Sequence, residues 1–262
     1  MFDFANILLS GRCNACCPCC IGRQIDPRLN LDHLGEYPPR NLAKFIELIR
    51  QEGIRQVVVT GTNTDPQLYP YEARLLQELR GGLPTGTQIA LHTNGRLALR
   101  KMAVLNQYDR VTISLPSFDP IVYRKMMGVG GVPDLYEIMR ISREILKISC
   151  IVTDENTAQT GSYLETCRAL SVRRVVLRKL YGEGRSWEQL LEPGLRADPT
   201  ACGSDITRTV LKQLGQKSYR GSPVVELPGM QVTLWDFVQS QSTSINLFSN
   251  GLISREYLLA KA

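Results

Sequence analysis

Six short apolar runs, each separated from the next by a stretch of helical periodicity, limit the fold most strongly. They are NILLS (6–10), QVVVTG (56–61), QIALHT (88–93), RVTISLP (110–116), KISCIVT (147–153) and RRVVLRKLY (173–181). Runs of this continuous kind suit strands of a parallel sheet covered on both faces. Between them lies NLAKFIELIRQEG (41–53), with Leu42, Phe45, Ile46 and Ile49 at helical spacing ahead of a glycine stop. YEARLLQELRGG (71–82), LALRKMAVLNQY (97–108), DLYEIMRISREIL (134–146) and GSYLETCRALSV (161–172) continue the alternation, and Asp134 is placed to cap the fourth helix. The pattern predicts an α/β fold with right-handed crossovers. An open doubly wound sheet and a barrel both satisfy it, and in both the chemistry belongs at the carboxyl ends of the strands.

Residues 182–262 are less regular. SWEQLLEPG and DITRTVLKQLGQ read as short helices, and SPVVELPGMQVTLWDF (222–237) as a hairpin around Pro228-Gly229. INLFSNGLISREYLL (245–259) reads as a strand and a terminal helix. No repeat or flexible linker interrupts the chain, so the expected division is a main domain over 1–181 with a C-terminal extension, 182–262, packed on it. No apolar run approaches the roughly 20 residues of a membrane span. The opening MFDFANILLSGRC has no basic leader, so the expected location is cytoplasmic. The net charge of +6 is spread through mixed sequence without a polybasic arm. It predicts no nucleic-acid partner and suits an acidic small molecule or redox protein.

Five of the eight cysteines, Cys13, Cys16, Cys17, Cys19 and Cys20, crowd the loop after the first run. In a reducing compartment such a cluster favours metal ligands over disulfides. A structural zinc site joins two C-x-x-C pairs across a finger. Here the pairs 13/16, 16/19 and 17/20 overlap, and only Cys150, Cys167 and Cys202 lie elsewhere. Four thiolates from so short a loop would strain a tetrahedral site. The spacing Cys13-x-x-x-Cys17-x-x-Cys20 can instead hold three irons of a cubane and leave the fourth open, with Cys16 and Cys19 as extra thiols.

That C-x3-C-x2-C loop after a first strand resembles the radical S-adenosylmethionine (radical SAM) superfamily. The segment GTNTDP after the second strand stands where the family often has G-G-E-P, with Gly61, Thr62 and Asn63 toward SAM. LHTNGRL after the third strand resembles the family's T-N-G at Thr93, Asn94 and Gly95. ISLPSFDPIVYRKMMG after the fourth is similar to molybdenum-cofactor and peptide-modifying members, with Ser114 and Ser117 toward the SAM ribose. Each segment alone reads as a turn or a cap; their order at successive strand ends carries the resemblance. It implies a partial (βα)6 TIM-like barrel, a 4Fe-4S cluster on Cys13, Cys17 and Cys20, and SAM as cofactor. It also implies reductive cleavage of SAM to a 5′-deoxyadenosyl radical that abstracts hydrogen from a substrate. The position before the third cysteine, usually aromatic in the family, is Cys19 here.

Arg12, Arg23 and Arg28 flank the cysteine loop, either as ordinary solvated arginines or as a rim for a flavodoxin or ferredoxin donor. Arg168, Arg173, Arg174, Arg178 and Lys179 form a basic run without an acid. Arg178, near a strand end, can hold the carboxylate of SAM or an anionic substrate, or form a surface salt bridge. Glu155 is placed to meet the SAM ribose or a substrate amine, while Asp154 and Asn156 can cap the next helix. His92 reads as a structural histidine near the site, and the tail aromatics as core. Three functions stay open: an enzyme on a small anionic biosynthetic substrate, a peptide or protein modifier, and a non-catalytic iron–sulfur or zinc scaffold.

Overall fold

The computed structural model describes residues 2–142, 145–197 and 201–257. Its elements are, in chain order, β1 (Phe4–Leu9), α1 (Leu42–Gln51), β2 (Gln56–Gly61), α2 (Glu72–Gly82), β3 (Gln88–Thr93), α3 (Met102–Leu105) and β4 (Arg110–Ser114). Next come α4 (Pro120–Met127), α5 (Leu135–Ile141), β5 (Ile145–Ile151), α6 (Thr160–Ala169), β6 (Arg174–Arg178), α7 (Trp187–Ala197) and α8 (Ala201–Gln213). The remaining strands are β7 (Ser218–Tyr219), β8 (Ser222–Leu227), β9 (Met230–Trp235), β10 (Ser244–Leu247) and β11 (Ile253–Ser254).

All belong to one sheet in the order β11-β10-β1-β2-β3-β4-β5-β6-β9-β8-β7. Strands β1 to β6 are parallel to their sequence neighbours. The order never reverses among them, which overturns the doubly wound alternative: that topology needs a switch point. Right-handed crossovers between consecutive neighbours carry the helices to one face.

The packing confirms that sidedness. Alternate strand residues Ala5, Ile7, Val57, Val59, Ile89, Leu91, Val111, Ile113, Ile148, Val175 and Leu177 share one buried cluster with Phe45, Leu76, Ile138, Leu164 and Leu190 from the helices. Each fully buried Leu, Ile or Phe contributes about 2 kcal/mol. Strand side chains alternate faces. Asn6, Leu8, Val58, Ala90, His92, Thr112, Lys147, Ser149, Val176 and Arg178 therefore lie on the helix-free face, which is much more polar than continuous apolar runs suggest.

Local chemistry explains most boundaries. α1 buries Leu42, Phe45, Ile46 and Ile49 and is followed by Gly53 at φ 65°. α4, absent from the sequence expectation, begins where the Asp119 carboxylate accepts from the amides of Ile121 and Val122, and ends at left-handed Gly128. The helix expected over 134–146 stops at Ile141 because Ser142 turns extended, and Leu146 belongs to β5. Its β-branched neighbours complete a strand more readily than a helix. The helix expected over 97–108 contracts to α3, with turns over 97–101.

The tail is more regular than its sequence suggests. The Pro228-Gly229 hairpin forms as expected between β8 and β9. β9 then adds in parallel to β6, and β10 in parallel to β1. The expected terminal helix falls partly outside the described residues, and its described portion carries β11. Among the described residues no helix is long and apolar enough to cross a membrane.

Candidate functional site

Because β1 to β6 are parallel, their carboxyl ends bring six loops to one end of the sheet. The cysteine loop leaves β1 there and is tied down from three directions. From β2, Asn63 Oδ1 accepts from Ser10 Oγ at 2.7 Å and the Gly11 amide at 3.0 Å. Thr64 Oγ1 donates to the Arg12 carbonyl at 3.0 Å, and Cys20 Sγ lies 3.5 Å from the Thr62 carbonyl oxygen. From β3, Asn94 Nδ2 donates to Asn14 Oδ1 at 2.7 Å and stands 4.0 Å from Cys13 Sγ. From the end of α4, the Met127 carbonyl accepts from the Cys16 amide at 2.9 Å, and Met127 Sδ lies 3.7 Å from Cys17 Sγ.

Glycine makes two of these approaches possible. A Cβ on Gly22 would sit 2.3 Å from the Thr62 carbonyl oxygen, and one on Gly128 only 2.4 Å from that of Cys16. At Gly128 the left-handed φ of 67° adds strain for any other residue.

Cys13, Cys17, Cys19 and Cys20 are half-buried, whereas Cys16 is exposed. Burial pushes the Cys17 thiol up to about 12, with Cys20, Cys19 and Cys13 adding to the rise. Burial also raises Cys13, helped by Asp65 and Cys20. The thiols of 13, 17 and 20 thus sense one another. Among the described residues, however, no three Cys, His, Asp or Glu side chains form a group that could hold a metal ion. A cubane spreads its ligands, one thiolate per iron corner, and three neighbouring soft thiolates suit it. Iron would also supply the positive charge needed to deprotonate thiols that burial keeps neutral.

Asp65 is the hub that sequence reasoning passed over. Its carboxylate lies 2.9 and 3.0 Å from Thr93 Oγ1 and accepts from the amides of Asn94 at 2.6 Å and Gln67 at 3.0 Å. It is buried, and burial raises its pKa despite these bonds. The β3 loop is therefore held through the β2 loop: Thr93 is a link in the scaffold, and Asn94 carries the connection to the cysteines.

The family description Radical SAM superfamily matches residues 7–161, which is more than half of the chain. The chain belongs to the radical SAM superfamily. It is an enzyme of that superfamily, a class whose members use SAM and a 4Fe-4S cluster. It is similar to a GTP 3′,8-cyclase from Nostoc sp., at 29% identity over 163 residues, 57% of this chain and 48% of the relative. It thus spans about half the length of the curated relative it matches. Among solved structures it resembles Streptococcus suis SuiB (TM-score 0.61, 14% identity, 98% of this chain and 60% of that one). SuiB bound to S-adenosylmethionine gives a TM-score of 0.60 at 15% identity, over 98% of this chain and 58% of that one. These likenesses are to the fold.

Within this radical SAM chain the other expected contacts separate. Gly61, Thr62 and Asn63 form a tight turn: a Cβ on Gly61 would meet the Thr64 carbonyl oxygen at 1.8 Å. Thr62 donates its amide to the Leu9 carbonyl and its hydroxyl bonds Asn30 Oδ1. Ser114 is exposed at the end of β4. Ser117 turns the other way, accepting from the Asp119 amide and lining a cavity of about 180 Å³ with Phe118, Cys150 and Tyr163 on the helix side. Glu155 forms an exposed ion pair with Lys125 at 3.0 Å. Arg12, Arg23 and Arg28 are all exposed, and Arg28 is paired with Asp26.

Arg178 sits inside the helix-free face, its guanidinium 4.8 Å from the Trp235 ring centre and its Nε buried without a partner. His92 and Lys147 face the same space. Lys147 was missed, although a lysine in the middle of the apolar run ILKISCI was a signal. Tyr257, also missed, packs its ring near Phe248 and Phe237, and burial, with Cys20 adding to it, raises its hydroxyl above the usual value. The Lys179 ammonium, by contrast, pairs with Asp236 at 3.2 Å, so it is internally balanced.

Proposed function

We propose that the chain reductively cleaves SAM at a 4Fe-4S cluster held by Cys13, Cys17 and Cys20 and acts on a small anionic biosynthetic substrate. The carrying observation is the cysteine loop at the carboxyl end of β1, pinned by Thr62, Asn63 and Asn94 from the next two strand ends. When bound, the cluster supplies the electron that splits SAM into methionine and the 5′-deoxyadenosyl radical that takes hydrogen from the substrate. The protein's part is to hold and shelter. Asp65 orients Asn94, and the Gly61–Asn63 turn sets the height of the cysteine loop. The polar inner face then offers a walled space that limits side reactions.

We read the sequential parallel order, extended by β9 and β10, as a partial (βα)6 barrel formed mainly by 1–181, with 182–262 supplying its edges. Ser114 remains a contact for the SAM ribose in this reading. Ser117 and Glu155 point elsewhere and are assigned no contact. Arg12 and Arg23 are the docking charges for an acidic flavodoxin or ferredoxin. The likeness to a cyclase of GTP from Nostoc supports an anionic small molecule. A peptide substrate is the second reading, supported by the likeness to SuiB, a protein also solved with a precursor peptide.

The test is anaerobic purification, reconstitution with iron and sulfide, reduction by dithionite and assay for 5′-deoxyadenosine. Formation is expected, with loss in Cys13→Ala, Cys17→Ala and Cys20→Ala and retention in Cys16→Ala and Cys19→Ala. Absence of product in the wild type leaves only the scaffold function. Loss of the cluster in the 16 or 19 variants alone would overturn the ligand assignment.

A further inference from the structure

The cysteine loop runs from Gly11 to Cys20 without helix or strand, so its order is imposed by groups outside it. Asn30 closes it. Its Nδ2 donates to the Gly22 carbonyl at 2.8 Å, just past Cys20. That bond fixes which way the amide points and turns Oδ1 to the opposite side. There Ser10 Oγ, just before the loop, stands 2.9 Å away, and the Thr62 hydroxyl donates to the same oxygen. Thr62 in turn lays its carbonyl oxygen 3.5 Å from Cys20 Sγ. One side chain therefore joins both ends of the cysteine loop to the turn that follows β2.

Asn30 is itself seated from the far end of the chain. It follows a tight turn over Pro27–Leu29, whose start is capped by the Asp26 carboxylate. Ser249 Oγ donates to the Leu29 carbonyl at 2.8 Å, and Asn250 Nδ2 to the Arg28 carbonyl at 3.2 Å. Phe248 packs with Leu8, Ile25 and Leu29 in a buried cluster separate from the main core. Ser249 is buried, so its bond to Leu29 is sheltered from competing water. Residues 248–250 leave β10, the strand that pairs with β1, and they lie beyond the 7–161 span of the family match.

Ordering an irregular loop lowers its conformational entropy, and a ligand set ordered in advance loses less on taking up metal. Groups that orient ligands without touching the metal therefore set how well it is retained. We propose that Asn30 is the positioning residue that clasps the cysteine loop, and that Ser249 of the C-terminal extension acts through it to keep the thiols in place for the cluster. The consequence for iron rests on the ligand assignment proposed above; the clasp itself does not.

The test is alkylation of the full chain, reduced and cluster-free, by iodoacetamide, with each cysteine followed by mass spectrometry. The chain carries its own controls, because Cys16 is exposed while Cys150 and Cys167 are buried. In Asn30→Asp a carboxylate of nearly the same shape cannot donate to Gly22. Cys20 is then expected to react about tenfold faster, as loss of a partner by a shielded carbonyl implies. Cys16 should react as before, and Cys150 and Cys167 should stay protected. Ser249→Ala is expected to speed Cys20 about fivefold, and to add nothing in the Asn30→Asp background. After reconstitution, release of iron to a chelator should quicken in the same order, by about tenfold in Asn30→Asp. The clasp is overturned if Cys20 reacts at the wild-type rate in Asn30→Asp, or if Cys150 and Cys167 lose protection with it in both single variants, which marks general loosening. An equal effect of Ser249→Ala in both backgrounds overturns the link through Asn30. A wild-type chain that takes up no iron contradicts the function proposed above, while the alkylation pattern still decides the clasp.

Discussion

Asn6 Nδ2 donates to Asn246 Oδ1 at 2.8 Å, joining residues 240 apart in sequence across the β1–β10 ladder. Both side chains are buried, and Asn246 is fully so. Asn6→Leu leaves Asn246 Oδ1 with only the Ser244 hydroxyl at 3.2 Å, a loss of about 1 kcal/mol. Urea unfolding should show a lower midpoint at unchanged slope. If β10 were only loosely appended, the midpoint would not move.

Glu72 is buried, with Lys101 Nζ at 2.6 Å and Tyr108 Oη donating at 3.0 Å. Lys101 Nζ also donates to the Gln67 carbonyl at 2.6 Å, so it braces the segment that carries Asp65. Lys101→Met strands a carboxylate in the core and should cost about 3–5 kcal/mol in chemical denaturation. Lys101→Met combined with Glu72→Leu should recover much of that, because no charge is then left unpaired.

Asp65→Ala removes the acceptor for Thr93 and for the amides of Asn94 and Gln67. Asn94 then loses its fixed position beside Asn14 and Cys13. SAM cleavage is expected to fall by about tenfold or more, as a lost charged hydrogen bond of roughly 1.5–3 kcal/mol implies. Assay of 5′-deoxyadenosine at matched cluster content checks it.

Glu155 and Lys125 are both about half exposed. A surface pair of this kind contributes roughly 0–1 kcal/mol. Glu155→Gln should leave both the unfolding midpoint and the rate of SAM cleavage close to wild type; a large loss of cleavage would return Glu155 to the site.

Rising pH should stabilise the inner face in two separate windows. The folded pKa of His92 lies below its unfolded value of roughly 6.5, so its contribution is intact above that pH and is lost as pH falls below it. Lys147 titrates near 8 when folded and roughly 10.4 when unfolded. The unfolded chain binds more protons between those values, so stability rises with pH there. His92 and the arginines at 110, 174 and 178 surround it, and only Lys147 loses its charge in that range. Stability should therefore rise between pH 8 and about 10, and in Lys147→Arg, which keeps its charge, this rise should vanish. Urea unfolding from pH 7 to about 10 measures this.

The sequence alone carried the βα alternation, because a strand and an amphipathic helix each write their period into nearest neighbours. It also carried the crowding of Cys13, Cys17 and Cys20 into one loop, because that spacing is local. The hairpin at Pro228-Gly229 was legible for the same reason. The helix ends at Ile141 and the extra helix α4 were not, since periodicity blurs where an extended Ser142 or an Asp119 cap intervenes.

What only the tertiary structure decided involves residues far apart in the chain. β9 and β10 close on β6 and β1, and Asp65 reaches across to Thr93 and Asn94. Ser117 and Glu155 turn away from the strand-end site, while Lys147 and Arg178 share its inner face, Arg178 standing opposite Ile151. A strand's period of two tells which residues share a face, but not which face the helices cover. That is set by crossover handedness and by neighbouring strands, so charges written as scattered letters became a concentrated field only once the sheet was assembled.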